Sequence, residues 1–330
     1  MTRAVRCLTR ALSLALGLSG PLLAREQFFD GNVLLNHPWF TGPILAPASN
    51  ALPYGLAAVQ ANIIEINRYG HYQANWHQES IPCFHSLVVN LPVAYGLGDR
   101  LDVQVIPRFL YNSHEGQHST QLGDWALGFG IQLHRGALDS WIPSVKFGFR
   151  EYLPMGRFDH LNPTKLGTQV SGTGSFGSMA GFSIRKLLKF SEVHYLSTVL
   201  NLRAAYYTPT HVKGLSLYGG APDTCGQIYP GMLYEVILSA EYSLTDNWAL
   251  AVDCDYIHRD RDRFRGCPGT DAEGEPAVVG NLSSELFSFC PAIEYNFRAG
   301  FGVIAGVWFS AAGRNAPAFA NFAMDVVYVF

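Results

Sequence analysis

The run His114-Glu115-Gly116-Gln117-His118 has the spacing of a zinc-protease motif. That chemistry needs a helix, so that both imidazoles reach one metal and the glutamate activates a bound water. Here the five residues fall in a polar stretch, 112–121, with glycine at its centre. They are read as loop residues, with casual metal binding alongside His71 and His77 as the alternative. Gly172-Thr173-Gly174-Ser175-Phe176-Gly177 matches G-x-G-x-x-G, a pattern that binds dinucleotides only between a strand and a helix. Neither flank is predicted, so these glycines are read as small inward positions on a strand. Asp253-Cys254-Asp255 suggests a metal-binding acid pair, but strand alternation makes both acids wall residues of one face. No catalytic residue, metal ligand or cofactor is assigned, and the chain is not expected to be an enzyme.

A membrane phospholipase is the one enzyme class that stays open as a lesser alternative. It requires a serine–histidine pair on an outer wall near the interface, with a third group orienting the base. His258 has the outward phase, yet no serine partner is evident from the sequence. Among the cysteines, Cys254 and Cys290 fall on opposite phases and should not pair. Cys225 and Cys267 both fall in long connecting stretches and are the disulfide candidates, which leaves Cys83 over.

These residues sit in a chain of unusual composition. Charged residues make up 15% of it, against about 25% in soluble domains. Mean hydropathy is only +0.08. The best apolar run, 11–18, is far short of the roughly 20 residues that a membrane helix needs. It fits a secretory signal instead, with Arg3, Arg6 and Arg10 before it, Gly20-Pro21 after it and cleavage following Ala24. Removing those three arginines leaves 20 basic against 26 acidic residues, a formal charge of −6 that argues against a nucleic-acid partner.

The elements that must position the chemistry are strands. Period-two alternation recurs in segments of about ten residues, the length with which a tilted strand spans a bilayer. Leu87, Val89, Leu91, Val93 and Tyr95 share a face; Trp125, Leu127, Phe129, Ile131 and Leu133 share another. The pattern repeats at 101–111, 144–150, 176–184, 196–206, 232–242, 248–256, 287–296 and 301–309. It ends with Phe322, Met324, Val326, Tyr328 and Phe330 on one phase. A first strand near 56–69 is needed for an even count, although Gln60 and Asn62 oppose Glu65 and Asn67 there; a bulge is the expected reason. The count is about 12 strands, with 10 or 14 as alternatives.

Connections alternate in length. Short ones lie at 96–100, 136–140, 189–194, 245–247 and 298–300; longer ones at 70–82, 112–121, 154–174, 209–230 and 259–282, with a modest one at 313–317. Tyrosine and tryptophan gather near both ends of the segments, where membrane interfaces fall. Short periplasmic turns and long external loops are the rule for outer-membrane barrels. The predicted fold is therefore all-β: a transmembrane antiparallel up-and-down β-barrel over 54–330, following a signal peptide at 1–24 and an N-terminal segment, 25–53, that is either periplasmic or a plug. Pro107 and Pro291 fall inside strands and are read as bulge sites.

Tyr95-Gly96-Leu97-Gly98-Asp99-Arg100-Leu101-Asp102-Val103, then Leu122-Gly123-Asp124-Trp125-Ala126-Leu127-Gly128, carry a family likeness, as do 143–149 and Leu153-Pro154-Met155-Gly156. They resemble the outer-membrane transporters named for the MetA pathway of phenol degradation, over 87–206. That family's usual Pro-Thr-Gly reads Pro154-Met155-Gly156 here. The resemblance implies a barrel with a transport role and supplies no catalytic residues.

Inward phases carry Arg108, Lys146, Arg150, Arg185 and Arg203 in the first half of the chain. In the second half they carry Glu235, Glu241, Asp253, Asp255, Glu294 and Asp325. In a closed barrel these rows are expected to face each other across the lumen, setting a transverse field or pairing to seal it. The expected function is passage of a small solute through a narrow, charged lumen, restricted by 154–174 folding inward. The alternative is a structural or surface-interaction barrel with a sealed lumen and functional external loops. Expected partners are outer-membrane lipid, the barrel-assembly machinery acting on the strand that ends at Phe330, and an unspecified small solute.

Overall fold

A computed structural model describes residues 38–138 and 140–330. The expected signal peptide and residues 25–37 of the N-terminal segment lie outside the described residues. Alternating β-branched, leucine and aromatic side chains suit a pleated wall that meets different media on its two faces. The wall begins with β1 (Ala57–Tyr72). Its next three strands are each interrupted once: β2 (Gln78–Asn90) with β3 (Val93–Gly98), β4 (Leu101–Ile106) with β5 (Arg108–His114), and β6 (Gln117–Leu122) with β7 (Trp125–His134). Then come β8 (Ser144–Leu153), β9 (Gly177–Lys189) and β10 (Tyr195–Tyr207). Outside the wall lie β11 (Thr210–Lys213) and β12 (Cys225–Tyr229), followed by wall strands β13 (Leu233–Ser243) and β14 (Trp248–Arg259). A second excursion carries β15 (Arg263–Cys267), and β16 (Ser284–Arg298), β17 (Phe301–Arg314) and β18 (Ala316–Val329) complete the wall. The result is an antiparallel closed barrel of 12 strands.

Closure, the weakest point in the sequence pattern, is made by a long ladder. β1 pairs with β18 from Ala58 opposite Val329 to Tyr72 opposite Ala316. The Phe330 N–H donates to Ala57 O at 2.8 Å. The polar residues of β1 need no change of phase. Gln60 and Asn62 point inward onto Asp325, while Glu65 and Asn67 share the outward phase with His85 and Ser113 toward the long-loop end. The bulge comes later, between Arg68 and Gly70, on both sides of the strand.

The wall is inside-out relative to a soluble core. Outward Leu238, Leu250 and Phe322 are 54%, 47% and 45% exposed, whereas inward Ser239, Asp253 and Asp325 are each 1% exposed. Apolar side chains facing out around a closed barrel place the wall in a bilayer, and the protein is an outer-membrane β-barrel.

Several expected connections differ. The stretches 70–82 and 112–121 are mostly strand: β1 and β2 meet at a turn over 73–77, and β5 and β6 form a hairpin closed by Glu115 (φ 44°) and Gly116 (φ 80°). Two consecutive left-handed residues match the twist of a two-residue hairpin, which the Glu-Gly pair signals only weakly. Asn315 alone turns β17 into β18. Pro291 does not mark a bulge, since it stays in register opposite Val252, and the nearest shift lies between Phe287 and Ser288. Pro107 does break its strand, level with Leu91, whose N–H donates to Pro107 O at 3.0 Å.

Candidate functional site

The lumen holds both the charged residues and a stretch of chain. Residues 38–53 run inside the short-turn half of the barrel as irregular chain that bends at 44–46 and 49–50, without a neighbouring strand. Every N–H and C=O of such a segment must find a partner elsewhere. The acids of β13, β14 and β16 take the N–H groups of its first part. The Thr41 N–H donates to Glu294 Oε1, the Gly42 N–H to Glu241 Oε1 at 3.1 Å, and the Leu45 N–H to Asp253 Oδ2 at 3.2 Å. Asn296 adds two bonds of 2.7 Å, donating to Trp39 O and accepting from Thr41 Oγ1.

Across the barrel the second part meets mixed partners. The Ala51 N–H donates to Gln132 Oε1 at 2.6 Å and the Leu52 N–H to Asp102 Oδ2 at 3.0 Å. Lys146 Nζ donates to Asn50 O at 3.2 Å, and Arg135 Nη2 to Ala51 O at 3.3 Å. With its amide oriented to satisfy both neighbours, Asn50 Oδ1 accepts from Arg185 Nη1 at 3.0 Å. Hydrogen bonds to charged groups contribute about 1.5–3 kcal/mol each.

Apolar anchors add to this. Ile44 packs in a cluster with Ala251, Cys290, Ile304 and Ala323, and Phe40 with Tyr195 and Ala249; each such side chain contributes about 1.5–3 kcal/mol on burial. Two wall glycines give the segment room. A Cβ on Gly96 would lie 2.0 Å from Pro53 O, and one on Gly302 2.0 Å from Thr41 Oγ1.

Among the described residues, the charged rows pair along the wall rather than across the lumen. Lys146 Nζ meets Asp102 Oδ2 at 2.7 Å, and Arg203 Nη2 meets Glu235 Oε2 at 2.5 Å from the adjoining strand. Asp325 ties the closure seam, accepting from Gln60 Nε2 at 2.6 Å and Asn62 Nδ2 at 2.5 Å. Asp255 accepts from Ser288 Oγ at 3.4 Å. Arg203 and Glu235 meet from adjacent strands, and Lys146 reaches Asp102 over Gly130 of the strand between them, so each pair forms along the wall.

In the long-loop half, Arg150 Nη1 donates to the Tyr152 hydroxyl at 3.4 Å, and Arg203 and Arg108 are near enough to act on it electrostatically. The connection 154–176 folds over this end, as expected. Asp124 accepts from the Gly156 N–H at 2.9 Å and the Thr173 N–H at 2.8 Å, and Asn112 Nδ2 donates to Thr168 O and Val170 O, each at 2.9 Å. Above lies a small sheet, β11-β12-β15, over a cluster of Val212, Tyr218 and Ile228. Burial pushes the Tyr218 phenol up to about 12, so it stays protonated and donates to Thr173 O at 2.8 Å.

His118 lies opposite Ser113 on the outward face, while His114 lies opposite Gln117 and turns inward, so the two imidazoles cannot share a metal as the protease motif requires. Of the glycine-rich run only Gly177 is on a strand; Gly172 and Gly174 belong to the loop and pack on Asp124 and Phe158. His258 faces outward beside Asp260 Oδ1 at 3.3 Å and Glu285 Oε1 at 3.6 Å. Asp253 lies opposite Cys290, and Cys254 opposite Phe289, so the two thiols point to different faces. Cys225 and Cys267 are directly opposite in the external sheet, both exposed and both free thiols.

Sequence reasoning missed the wall residues that hold the segment, notably Gln132 and Asn296. Buried amides on inward phases were the available signal, since such groups require partners.

No known family profile matches the sequence, and neither does any curated protein. Among solved structures, the chain is similar to an outer membrane channel from Pseudomonas putida F1, with TM-score 0.68 and 16% identity over 87% of this chain and 100% of that one. It also matches the translocator domain of autotransporter NalP from Neisseria meningitidis, with TM-score 0.42 and 12% identity over 82% and 88% of the two chains. The first likeness shows the barrel fold.

Proposed function

We propose that the protein is a non-enzymatic outer-membrane channel for a small solute, and that residues 38–53 are its plug. The observation that carries this reading is the segment's position: it bonds to inward side chains around the wall from β4 to β16. Twelve strands enclose more space than the eight whose side chains fill a barrel, so the segment occupies room that a solute would use. Contacts made mostly through its backbone to separate side chains can be released stepwise. The likeness of 87–206 to the MetA-pathway transporters and the similarity to a solved channel support the same reading. In this role the outer face meets lipid, and the strand ending at Phe330 is the element offered to the barrel-assembly machinery.

Planar-bilayer recording of the full chain beside a variant lacking 38–53 tests the proposal. Small, intermittent currents that become large and steady on deletion are expected. A deletion variant that folds yet passes no current would favour a sealed barrel serving its external loops.

A further inference from the structure

We propose that the long-loop half of the lumen is a binding site for a small organic carboxylate, held by Arg108, Arg150, Arg203 and Arg259; this rests on the channel reading above. The four arginines come from β5, β8, β10 and β14, all on inward phases. Tyr152 and Tyr207 stand between them: the hydroxyl of Tyr152 accepts from Arg150, with Arg203 and Arg108 near enough to act on it electrostatically, and the guanidinium of Arg259 sits 5.3 Å over the ring of Tyr207. Gly177, between the two tyrosines, leaves them space, since a Cβ there would lie 2.7 Å from the Tyr207 ring.

The acids nearby do not satisfy this set. Glu235 pairs with one terminal nitrogen of Arg203, and Asp255 lies in the same field. The Nε groups of Arg108, Arg203 and Arg259 are buried with no hydrogen-bond partner among the described residues. Buried donors are ordinarily paired, and three orphaned donors on cations around one space call for an acceptor that carries negative charge. The short-turn half shows what satisfaction looks like: Lys146 has both a carboxylate and a carbonyl.

The chemistry selects a class of anion. Planar guanidinium forks match the two oxygens of a carboxylate. Two tyrosine rings offer apolar faces, and the flexible Met179 thioether lies 4.0 Å from the Tyr152 hydroxyl. An anionic head with a short aromatic or aliphatic body fits those surroundings better than a bare inorganic ion, which would leave the rings unused.

Benzoate binding to the full-chain protein in detergent, followed by calorimetry, is the test, with benzyl alcohol and inorganic phosphate as comparison probes. The wild type should bind benzoate, bind benzyl alcohol at least ten-fold more weakly, and prefer benzoate to phosphate. Arg108→Met and Arg150→Met should each weaken benzoate binding by about ten-fold, and Arg150→Lys should recover only part of it because it restores the charge without the fork. Heat-modifiable gel mobility reports folding, and Arg108→Met, whose Nε has no protein partner to lose, serves if Arg150→Met fails to fold. No benzoate binding to the wild type, equal binding by the folded variants, or phosphate binding as tightly as benzoate would each overturn the proposal. Liposome swelling of the wild type with arabinose separates the two readings. Swelling without arginine-dependent benzoate binding removes the site and keeps the channel; binding without swelling keeps the site and removes the channel.

Discussion

The two halves of the lumen use charge in opposite ways. In the short-turn half, Glu294, Glu241, Asp253 and Asp102 act as acceptors for the backbone of 38–53, and Lys146 is bonded on two sides. In the long-loop half, three arginine Nε groups have no acceptor among the described residues. One region commits most of its charges to the chain's own backbone, although Glu294 Oε2 is left without a partner among the described residues; the other is lined with unpaired donors, with Asp255 Oδ1 as an unpaired acceptor beside them. A charged lumen is thus not evidence of a conducting path in itself. What matters is whether the charges are spent on the protein.

Deleting 38–53 breaks the comparison most severely. Bilayer conductance should rise about ten-fold, because the space between twelve strands is no longer filled. Gly302→Val or Gly96→Val should have the next largest effect on current. The Gly96 side chain would collide with Pro53 and Leu52 of the segment alone, whereas that of Gly302 would also meet Asn296 on the neighbouring strand. The open fraction should therefore rise severalfold in both, while heat-modifiable mobility stays that of a folded barrel most clearly in Gly96→Val. Lys146→Met leaves Asp102 buried without its cation, which should cost about 3 kcal/mol in urea unfolding followed in detergent micelles. Glu241→Gln keeps an acceptor for the Gly42 N–H and relieves a buried carboxyl that stands against Glu294, so stability in the same assay should change by less than about 1 kcal/mol.

Much of the wall was legible in the sequence, and much of the lumen was not. Alternation in Trp248, Leu250, Val252 and Tyr256 against Asp253 and Asp255 is read correctly because a wall between lipid and lumen imposes a period of two on every strand. The hairpin at Glu115 and Gly116 was hidden because polar strands beyond the membrane lose the apolar half of that pattern. The inward phases were legible for Glu241, Glu294 and Asp253, but their partners were not. Their ligands are backbone N–H groups of Thr41, Gly42 and Leu45, which any residue supplies, so composition carries no trace of them. Segregation of bases and acids between the halves of the chain is visible, and it predicts rows facing across a pore. The structure instead pairs Arg203 with Glu235 and Lys146 with Asp102 along the wall and sets Glu241, Asp253 and Glu294 against the backbone of 38–53.

External cysteines offer a smaller contrast. Cys225 and Cys267 are directly opposite in the sheet β11-β12-β15, a position from which two thiols can reach each other, and we propose that they pair when the exported chain is oxidised. A non-reducing peptide map should show that linkage, with two hydrogens lost to the oxidant; its absence from oxidised protein refutes the pairing. Conductance should barely change in Cys225→Ser, since the sheet lies above the mouth.

The central claim is that 38–53 must move for solute to pass. Ile44 and the native Cys290 pack in one buried cluster inside the barrel, so Ile44→Cys, in a background lacking the other cysteines, places a second thiol beside the first. Single-channel current should vanish when a mild oxidant links the two and return when the link is reduced. Current that continues unchanged through the linked protein would contradict the account.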